Sequence, residues 1–226
     1  METDLLVFDL DGTLIDSKLD LALAVNAARA DAGLEPLPHE TVYSYVGNGA
    51  PVLIRRALGA AASDGQVEKS LEYFLNYYRE HMLDNTRLYP GVADSLEEWG
   101  GAKKLAVLTN KPERFSRMIL DGLGVGSRFS RVYGGNSFET KKPDPLGLNH
   151  LMGELGVPAA HALMVGDSAV DVLTARNAGV RSCGVTYGLQ PETFEQHPPD
   201  LLIDRMDELV ELLRNGAPGC ASPTGC

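Results

Sequence analysis

The sequence predicts an α/β fold in which a Rossmann-like parallel sheet with helices on both faces carries an inserted, all-helical cap domain. Two patterns lead to this fold class. From residue 87 onward, short apolar runs alternate with segments of helical periodicity, which is typical of parallel strands joined by right-handed crossovers. Residues 17–86, which separate the first apolar run from this alternation, have helical periodicity only.

This division predicts two units and a tail. We expect an α/β core made of residues 1–16 and 87–215, and a helical cap made of residues 17–86. Residues 216–226 are rich in Gly, Pro and Ser, which predicts a disordered tail.

The first strand is predicted at residues 5–8, because four consecutive apolar residues there are typical of a buried strand. In the cap, Ser17 and Asp20 form a pattern that resembles a capping box, and Ser63 and Gln66 form a second one. Four cap helices are predicted, over 19–30 and beginning near Pro38, Pro51 and Ser63.

The rest of the core is predicted as alternating helices and strands. The apolar runs predict strands at residues 104–109, 131–133, 161–165, 181–186 and 201–203. The helices between these strands end at glycines, and a last helix is expected over 206–213.

Composition excludes several classes of protein. The 226 residues are 44% hydrophobic and 23% charged, as in ordinary soluble globular proteins. The net charge of −11 disfavours nucleic-acid binding, which requires a basic surface, and no apolar run approaches the length of a membrane span. No secretory signal is visible, so we expect a cytoplasmic protein that binds neither nucleic acid nor membrane. Three cysteines offer no disulfide framework, and Cys183 is expected to be a buried thiol.

Two carboxylates follow the first strand, in Asp9-Leu10-Asp11-Gly12. In an extended segment both side chains project to one side, at the carboxyl edge of the sheet where open α/β folds bind ligands. Carboxylates this close repel each other unless a cation or a shared proton neutralises them, and Mg²⁺ prefers such oxygen ligands. The alternative is an ordinary Asp-Gly turn with acidic neighbours at the surface.

Three later segments add polar residues after apolar runs or between them. Thr109-Asn110-Lys111 and Gly166-Asp167-Ser168 each follow a predicted strand, and Asp171 lies one helical turn after the second segment. Between them lies Lys141-Lys142-Pro143. Together these segments supply metal-binding carboxylates, a carboxylate free to attack, a hydroxyl and a lysine, which are the groups needed to transfer a phosphoryl group to water.

These four segments resemble the four motifs of the haloacid dehalogenase superfamily, specifically its aspartate-dependent phosphatases. The resemblance extends over almost the whole chain. Within the family, the segments 46–50, 56–58, 89–92 and 108–111 are most similar to the phosphoglycolate phosphatases. The implied partner is a small phosphorylated metabolite, and the implied cofactor is Mg²⁺.

The resemblance assigns Asp9 the role of nucleophile, which forms an aspartyl-phosphate, and Asp11 the role of general acid and base. It implies that Asp9, the backbone carbonyl of Asp11 and Asp167 bind the metal. For Asp171 two interpretations stay open. It either orders a metal-bound water or Lys142, or it only caps the helix that begins after Ser168.

Further residues are expected to bind the substrate. Thr109 and Asn110 would hold a phosphate oxygen, and Lys142 would neutralise charge on the nucleophile and the phosphate. In the cap, the polar turn at Gly47 and Asn48 is suited to approach a small substrate. Arg56 is a candidate for binding the substrate or the core, the alternative being a surface arginine.

The resulting hypothesis is a Mg²⁺-dependent phosphatase that hydrolyses a small phosphate monoester, 2-phosphoglycolate above all. The first alternative is a phosphatase of the same family that acts on a sugar phosphate or nucleotide. An alternative from another class is a phospho-accepting signalling module similar to response-regulator receivers. The order of the motifs and the helical insertion disfavour that alternative.

Overall fold

The structure, a computed structural model, describes residues 2–214, so the predicted tail lies outside the described residues. Its centre is a parallel sheet of six strands. These strands are β1 (Leu5–Phe8), β4 (Lys104–Leu108), β5 (Arg131–Tyr133), β6 (Ala162–Gly166), β7 (Arg181–Val185) and β8 (Leu201–Ile203). Two further short strands, β2 (Ile15–Asp16) and β3 (Arg87–Leu88), pair antiparallel beside it. The sequence did not predict this pair, because two-residue strands carry no periodicity.

The strand order is β5-β4-β1-β6-β7-β8, which places β1 in the middle. In the register of the sheet, Leu5 pairs with Lys104 of β4 on one side and with Ala162 of β6 on the other. The strands that follow β1 in the chain therefore first extend the sheet on one side of it, as β4 and β5, and then on the other side, as β6, β7 and β8. Ligand sites of open α/β sheets lie at such a switch in strand order. The polar residues that follow β1, β4 and β6 consequently meet at one edge.

Helices cover both faces of the sheet, as predicted for this fold class. They are α5 (Val92–Trp99), α6 (Glu113–Gly122), α7 (Leu146–Leu155), α8 (Ala169–Asn177) and α9 (Met206–Arg214). Alternate residues of β1 belong to two separate apolar clusters. Leu6 and Phe8 pack in one cluster, and Leu5 and Val7 pack in the other. This alternation follows from the period of two in a strand and buries the central strand completely.

Four helices lie between β2 and β3, and we call this segment the helical block. They are α1 (Lys18–Asp31), α2 (His39–Tyr43), α3 (Ala50–Leu58) and α4 (Asp64–His81). Apolar residues of the block, among them Leu53, Phe74 and Tyr78, share one cluster with Phe8 and Phe115 of the core. The predicted helices are present, and the division of the chain into cap and core domains stays a prediction.

The two predicted capping boxes have different outcomes. At α4 the Ser63 side chain accepts a hydrogen bond from the Gln66 amide, and the Gln66 side chain accepts one from the Ser63 amide, so this box is confirmed. The Ser17–Asp20 box at α1 is wrong. The Ser17 hydroxyl donates to Asp11, and Asp20 accepts hydrogen bonds from Asn85 and Thr86. Contacts with distant segments have displaced the local pattern.

Among residues 2–214, no helix has both the length and the apolar character needed to cross a membrane.

Candidate active site

The end of β1 brings Asp9 and Asp11 to the edge of the sheet, where the chain turns at Gly12. The φ of Gly12 is +82°, in the left-handed region that favours glycine. A Cβ atom at Gly12 would lie 2.1 Å from Asp167 Oδ2, and one at Gly188 would lie 2.2 Å from the Cβ of Asp167. These two glycines therefore leave the space in which Asp167, from the end of β6, packs against the turn.

Asp9 is almost buried and is held through one carboxylate oxygen. Its Oδ1 accepts a hydrogen bond from the Leu10 amide at 2.7 Å and lies 3.0 Å from Lys142 Nζ. No hydrogen bond among residues 2–214 reaches its Oδ2. This arrangement fixes the carboxylate and leaves one oxygen for a further partner.

Asp171 combines the two functions that the sequence left open. Its Oδ1 lies 2.5 Å from Lys142 Nζ, while its Oδ2 accepts hydrogen bonds from the amide and the hydroxyl of Ser168. The same carboxylate thus caps the start of α8 and orients the lysine that contacts Asp9. The other lysine of the pair, Lys141, is exposed and donates to the carbonyl of Asn48.

Burial and the neighbouring charges shift the pKa values of this group. Burial raises the pKa of Asp9 to about 6, against the opposing effect of Lys142. Burial, together with the charges of Asp171 and Asp9, also raises the pKa of Asp167. Burial alone would lower the pKa of Lys142, but Asp171 and Asp9 outweigh it and raise that pKa, so the lysine stays charged.

The residues present fit a divalent cation. Asp9, Asp167 and Asp171 each offer an oxygen within 4.8 Å of the others. Lys142 is the cation that contacts this group in the part of the chain that the structure describes, and it compensates one of the three negative charges. Mg²⁺ prefers such hard oxygen ligands and would neutralise the remaining charge. The predicted ligand set of Asp9, the Asp11 carbonyl and Asp167 stays a prediction.

The side chain of Asp11 belongs to a second cluster, which the sequence analysis missed. Lys111 Nζ lies 2.9 and 3.1 Å from the two carboxylate oxygens of Asp11, and the Ser17 hydroxyl donates to Oδ1 at 2.5 Å. Lys111 also lies 4.6 Å from the ring centroid of Tyr78 in α4, a cation–π contact. The only signal in the sequence was the position of Lys111 directly after Thr109 and Asn110.

Lys111 stays protonated in this setting although its side chain is only 4% exposed. Burial alone would lower its pKa, but Asp11 and Tyr78 reverse that effect and raise it. Burial raises the pKa of the Tyr78 hydroxyl to about 12, so this group is a hydrogen-bond donor at neutral pH. Within residues 2–214 the Tyr78 hydroxyl is buried and makes no hydrogen bond of standard geometry, although Lys111 lies close enough to affect its pKa.

A pocket at this edge is lined by the core and the helical block together. Its polar lining comes mainly from the core, and its apolar lining mainly from the block. The lining includes Asp9, Asp11, Thr109, Asn110, Lys111 and Asp167, with Leu53, Phe74, Tyr78 and Gly47 opposite. Asn110 links the two sides, since its amide group donates to the carbonyls of Gly47 at 2.9 Å and of Lys142 at 3.1 Å.

The predicted substrate residues of the helical block do not all reach this pocket. Gly47 lines it, whereas Asn48 is half-buried and contacts Lys141 through its carbonyl. Arg56 is exposed, does not line the pocket, and donates to the carbonyl of Tyr45 at 3.4 Å. The helical spacing of α3 directs Arg56 away from the core, because Leu53 and Ala57 occupy its buried face.

The fold and this arrangement of carboxylates define a hydrolase of the haloacid dehalogenase-like family, and the chain belongs to that family. The model of the haloacid dehalogenase-like hydrolase family matches residues 6–185. The chain is 42% identical over 226 residues to the phosphoglycolate phosphatase of Pseudomonas fluorescens strain Pf0-1. The aligned region covers 96% of this chain and 79% of that relative. It is also 42% identical over 217 residues to the phosphoglycolate phosphatase of Vibrio parahaemolyticus, and this aligned region covers 92% of this chain and 95% of that relative.

A solved structure gives the same result. The crystal structure of a protein described as a predicted phosphoglycolate phosphatase from Haemophilus somnus 129pt superposes with a TM-score of 0.90 at 34% identity, covering 94% of this chain and 98% of that one. The resemblance drawn from the four motifs is confirmed, as is the prediction of an enzyme of the phosphoric monoester hydrolase class.

Proposed function

We propose that this enzyme hydrolyses 2-phosphoglycolate to glycolate and phosphate through an aspartyl-phosphate on Asp9. The observation that carries the proposal is that two carboxylates only two residues apart, those of Asp9 and Asp11, lie in different surroundings. Asp9 lies with Lys142 among the acidic residues, and Asp11 lies with Lys111 facing the apolar side of the pocket. Two carboxylates in different surroundings are suited to different roles.

In the first step, the free Oδ2 of Asp9 attacks phosphorus, and the bond from phosphorus to the bridging oxygen breaks. Asp11 gives its proton to that oxygen, and glycolate leaves. In the second step, water attacks phosphorus and loses a proton to Asp11, the bond between Asp9 and phosphorus breaks, and inorganic phosphate is released. Lys142 holds Oδ1 throughout and reduces the repulsion between the carboxylate and the phosphate.

We propose Mg²⁺ as the cofactor, held by Asp9 and Asp167 together with either Asp171 or the carbonyl of Asp11. When bound, the cation supplies positive charge to the transferred phosphoryl group. Thr109 and Asn110, which line the pocket beside Asp9, are the proposed partners of the other phosphate oxygens. The buried Oδ1 of Asn110 has no partner within the described residues.

The choice of substrate is supported by the names of the relatives and by the pocket. Several relatives at about 40% identity are phosphoglycolate phosphatases. The apolar side chains of the helical block leave little polar lining for the many hydroxyl groups of a sugar. A small ester with few hydroxyl groups matches this lining better, and Lys111 in the lining can pair with one further negative charge.

The test is kcat/KM with Mg²⁺ for 2-phosphoglycolate, glucose 6-phosphate, AMP and p-nitrophenyl phosphate. We expect 2-phosphoglycolate to be the best of the four, because contacts remote from phosphorus complete the catalytic arrangement. A hexose phosphate or nucleotide at the head of the series would refute the glycolate assignment and keep the phosphatase. Failure to hydrolyse any of these esters would refute both.

A further inference from the structure

The carboxylate of the substrate needs a cation inside the pocket, and the sequence candidate for that contact lies outside it. Arg56 is exposed and contacts the Tyr45 carbonyl. Lys141 is exposed as well and contacts the Asn48 carbonyl, and Lys142 is engaged by Asp9 and Asp171. Among the residues that line the pocket in the described part of the chain, Lys111 is the one cationic side chain.

We propose that Lys111, together with the hydroxyl of Tyr78, binds the carboxylate of the substrate and sets the preference of the enzyme for a carboxylated phosphate ester. This inference rests on the proposed function, since it names the residues that recognise 2-phosphoglycolate.

The distances agree with the chemistry of that substrate. Lys111 Nζ lies 2.9 and 3.1 Å from the oxygens of Asp11, the proposed proton donor to the bridging oxygen. In 2-phosphoglycolate only one methylene separates the bridging oxygen from the carboxylate carbon. A cation that touches the proton donor is therefore within reach of the carboxylate when the donor touches the bridging oxygen.

Lys111 has the capacity for this additional partner. An ammonium group has three N–H donors, and the two oxygens of Asp11 occupy at most two of them. The Tyr78 hydroxyl adds a second donor, because it is buried without a hydrogen-bond partner within residues 2–214. A buried polar group without a partner is uncommon and calls for an explanation, and a ligand oxygen supplies one.

The apolar surroundings strengthen this recognition. Phe74, Phe115 and Leu53 line the same pocket as Lys111 and Tyr78, so the two donors have apolar neighbours. A charged hydrogen bond is stronger in such a setting than at an exposed site. A phosphate ester without the carboxylate makes no use of these two donors, so it should be hydrolysed less efficiently.

The experiment compares two substrates that differ only in the distal group. These are 2-phosphoglycolate and 2-hydroxyethyl phosphate, in which a neutral alcohol replaces the carboxylate. The quantity measured is the ratio of their kcat/KM values in the wild type and in Lys111→Met, Lys111→Arg, Tyr78→Phe, Arg56→Ala and Lys69→Met. Lys69, on α4, is 78% exposed, and its contact with Asp31 spans 3.9 Å, so Lys69→Met is the matched control for loss of a lysine charge.

We expect Lys111→Met to reduce the ratio roughly 10- to 100-fold, as expected for loss of a charged hydrogen bond. Lys111→Arg, which keeps the charge, should recover most of the ratio, and Lys69→Met should leave it unchanged. Tyr78→Phe should reduce it severalfold with little effect on the melting temperature, because the hydroxyl makes no hydrogen bond of standard geometry within residues 2–214 and the ring that contacts Lys111 is kept. This variant tests the proposal even if Lys111→Met folds poorly.

Equal losses on both substrates in Lys111→Met and an unchanged ratio in Tyr78→Phe would overturn the proposal and make Lys111 a positioning residue for Asp11. A selective loss in Arg56→Ala instead would return the carboxylate contact to α3 and overturn it as well. A wild type without preference for 2-phosphoglycolate would refute the proposed substrate itself, so the two failures are distinguishable.

Discussion

Asp9 and Asp11 are two residues apart, yet each has its own lysine. Lys142 contacts Asp9 at 3.0 Å, and Lys111 contacts Asp11 at 2.9 Å. A single shared cation would let the two carboxylates compete for it, whereas separate lysines give each carboxylate its own surroundings, which suits the different roles proposed for them. One short segment thus obtains two different environments from lysines that lie 100 or more positions further along the chain.

Asp9→Asn tests the nucleophile. The variant keeps the shape of the side chain and removes the attacking charge, so kcat should fall roughly 10³-fold or more. Folding should be preserved, because burial already disfavours the charged form of Asp9. Thermal melting and steady-state phosphate release measure the two quantities.

Asp4→Asn is the matched control, because Asp4 precedes the same strand at its opposite end and contacts His161. It should retain nearly the full rate. Near wild-type turnover in Asp9→Asn would refute the covalent mechanism.

The sequence indicated most of the site residues but not all of their contacts. Asp9, Asp167, Thr109 and Asn110 follow strands, and the parallel topology brings strand ends together without any knowledge of side chains. The pairing of Lys111 with Asp11 could not be predicted in this way, because it depends on a side-chain direction at the end of β4. Arg56 illustrates the opposite case, because a charge in a helix does not reveal which way the side chain faces, and the structure places this one outside the pocket lining.

At the scale of elements, Asp20 joins the entrance and the exit of the helical block. This residue of α1 is buried, and its carboxylate accepts hydrogen bonds from the amides of Asn85 and Thr86 and from both of their side chains. The two chain connections between block and sheet are therefore held side by side. A pattern that looks like a local helix cap in the sequence is a long-range contact in the structure.

Asp20→Asn tests this contact. The NH₂ group of asparagine cannot accept hydrogen bonds, so it would replace one of the two oxygens to which Asn85 and Thr86 now donate. Buried N–H or O–H groups of these two residues would then have no acceptor. We expect the free energy of unfolding to fall by about 2–4 kcal/mol, since each such group costs about 1–3 kcal/mol. Urea denaturation, followed by fluorescence and circular dichroism, measures the change.

Asp31→Asn, the same substitution at an exposed position of α1, is the control. Its ion pair with Lys69 spans 3.9 Å, so the loss should stay below about 0.5 kcal/mol. Equal small effects of both substitutions would contradict the role of Asp20 as a tie between the two connections.

The fold was more predictable than the site because its signals are periodic. The buried strands and the amphipathic helices repeat an apolar pattern over several residues, and this pattern survives small errors at the ends. Elements without such repetition, namely β2 and β3, were missed. The Ser17–Asp20 box failed for a related reason, because a motif of two polar residues is easily overridden by tertiary contacts.

At the scale of the whole molecule, the net charge of −11 affects stability most where acidic side chains lie close together, as they do around Asp9. Burial raises the pKa of Asp9 to about 6, above its ordinary value of 3.8. Without a cation, the folded protein consequently binds a proton there more tightly than the unfolded chain. The contribution of Asp9 to stability is greatest below about pH 4 and is lost as the pH rises through about 6, on the order of 3 kcal/mol.

Mg²⁺ should reverse this loss, and that is the last prediction. Metal ligands must be deprotonated, so Mg²⁺ competes with the protons that the raised pKa values of Asp9 and Asp167 retain. Addition of Mg²⁺ to chelator-treated protein should therefore raise the melting temperature more at about pH 7.5 than at about pH 5. Asp167→Asn should abolish the difference. An equal rise at both pH values, or a full rise in the variant, would show that the cation binds elsewhere.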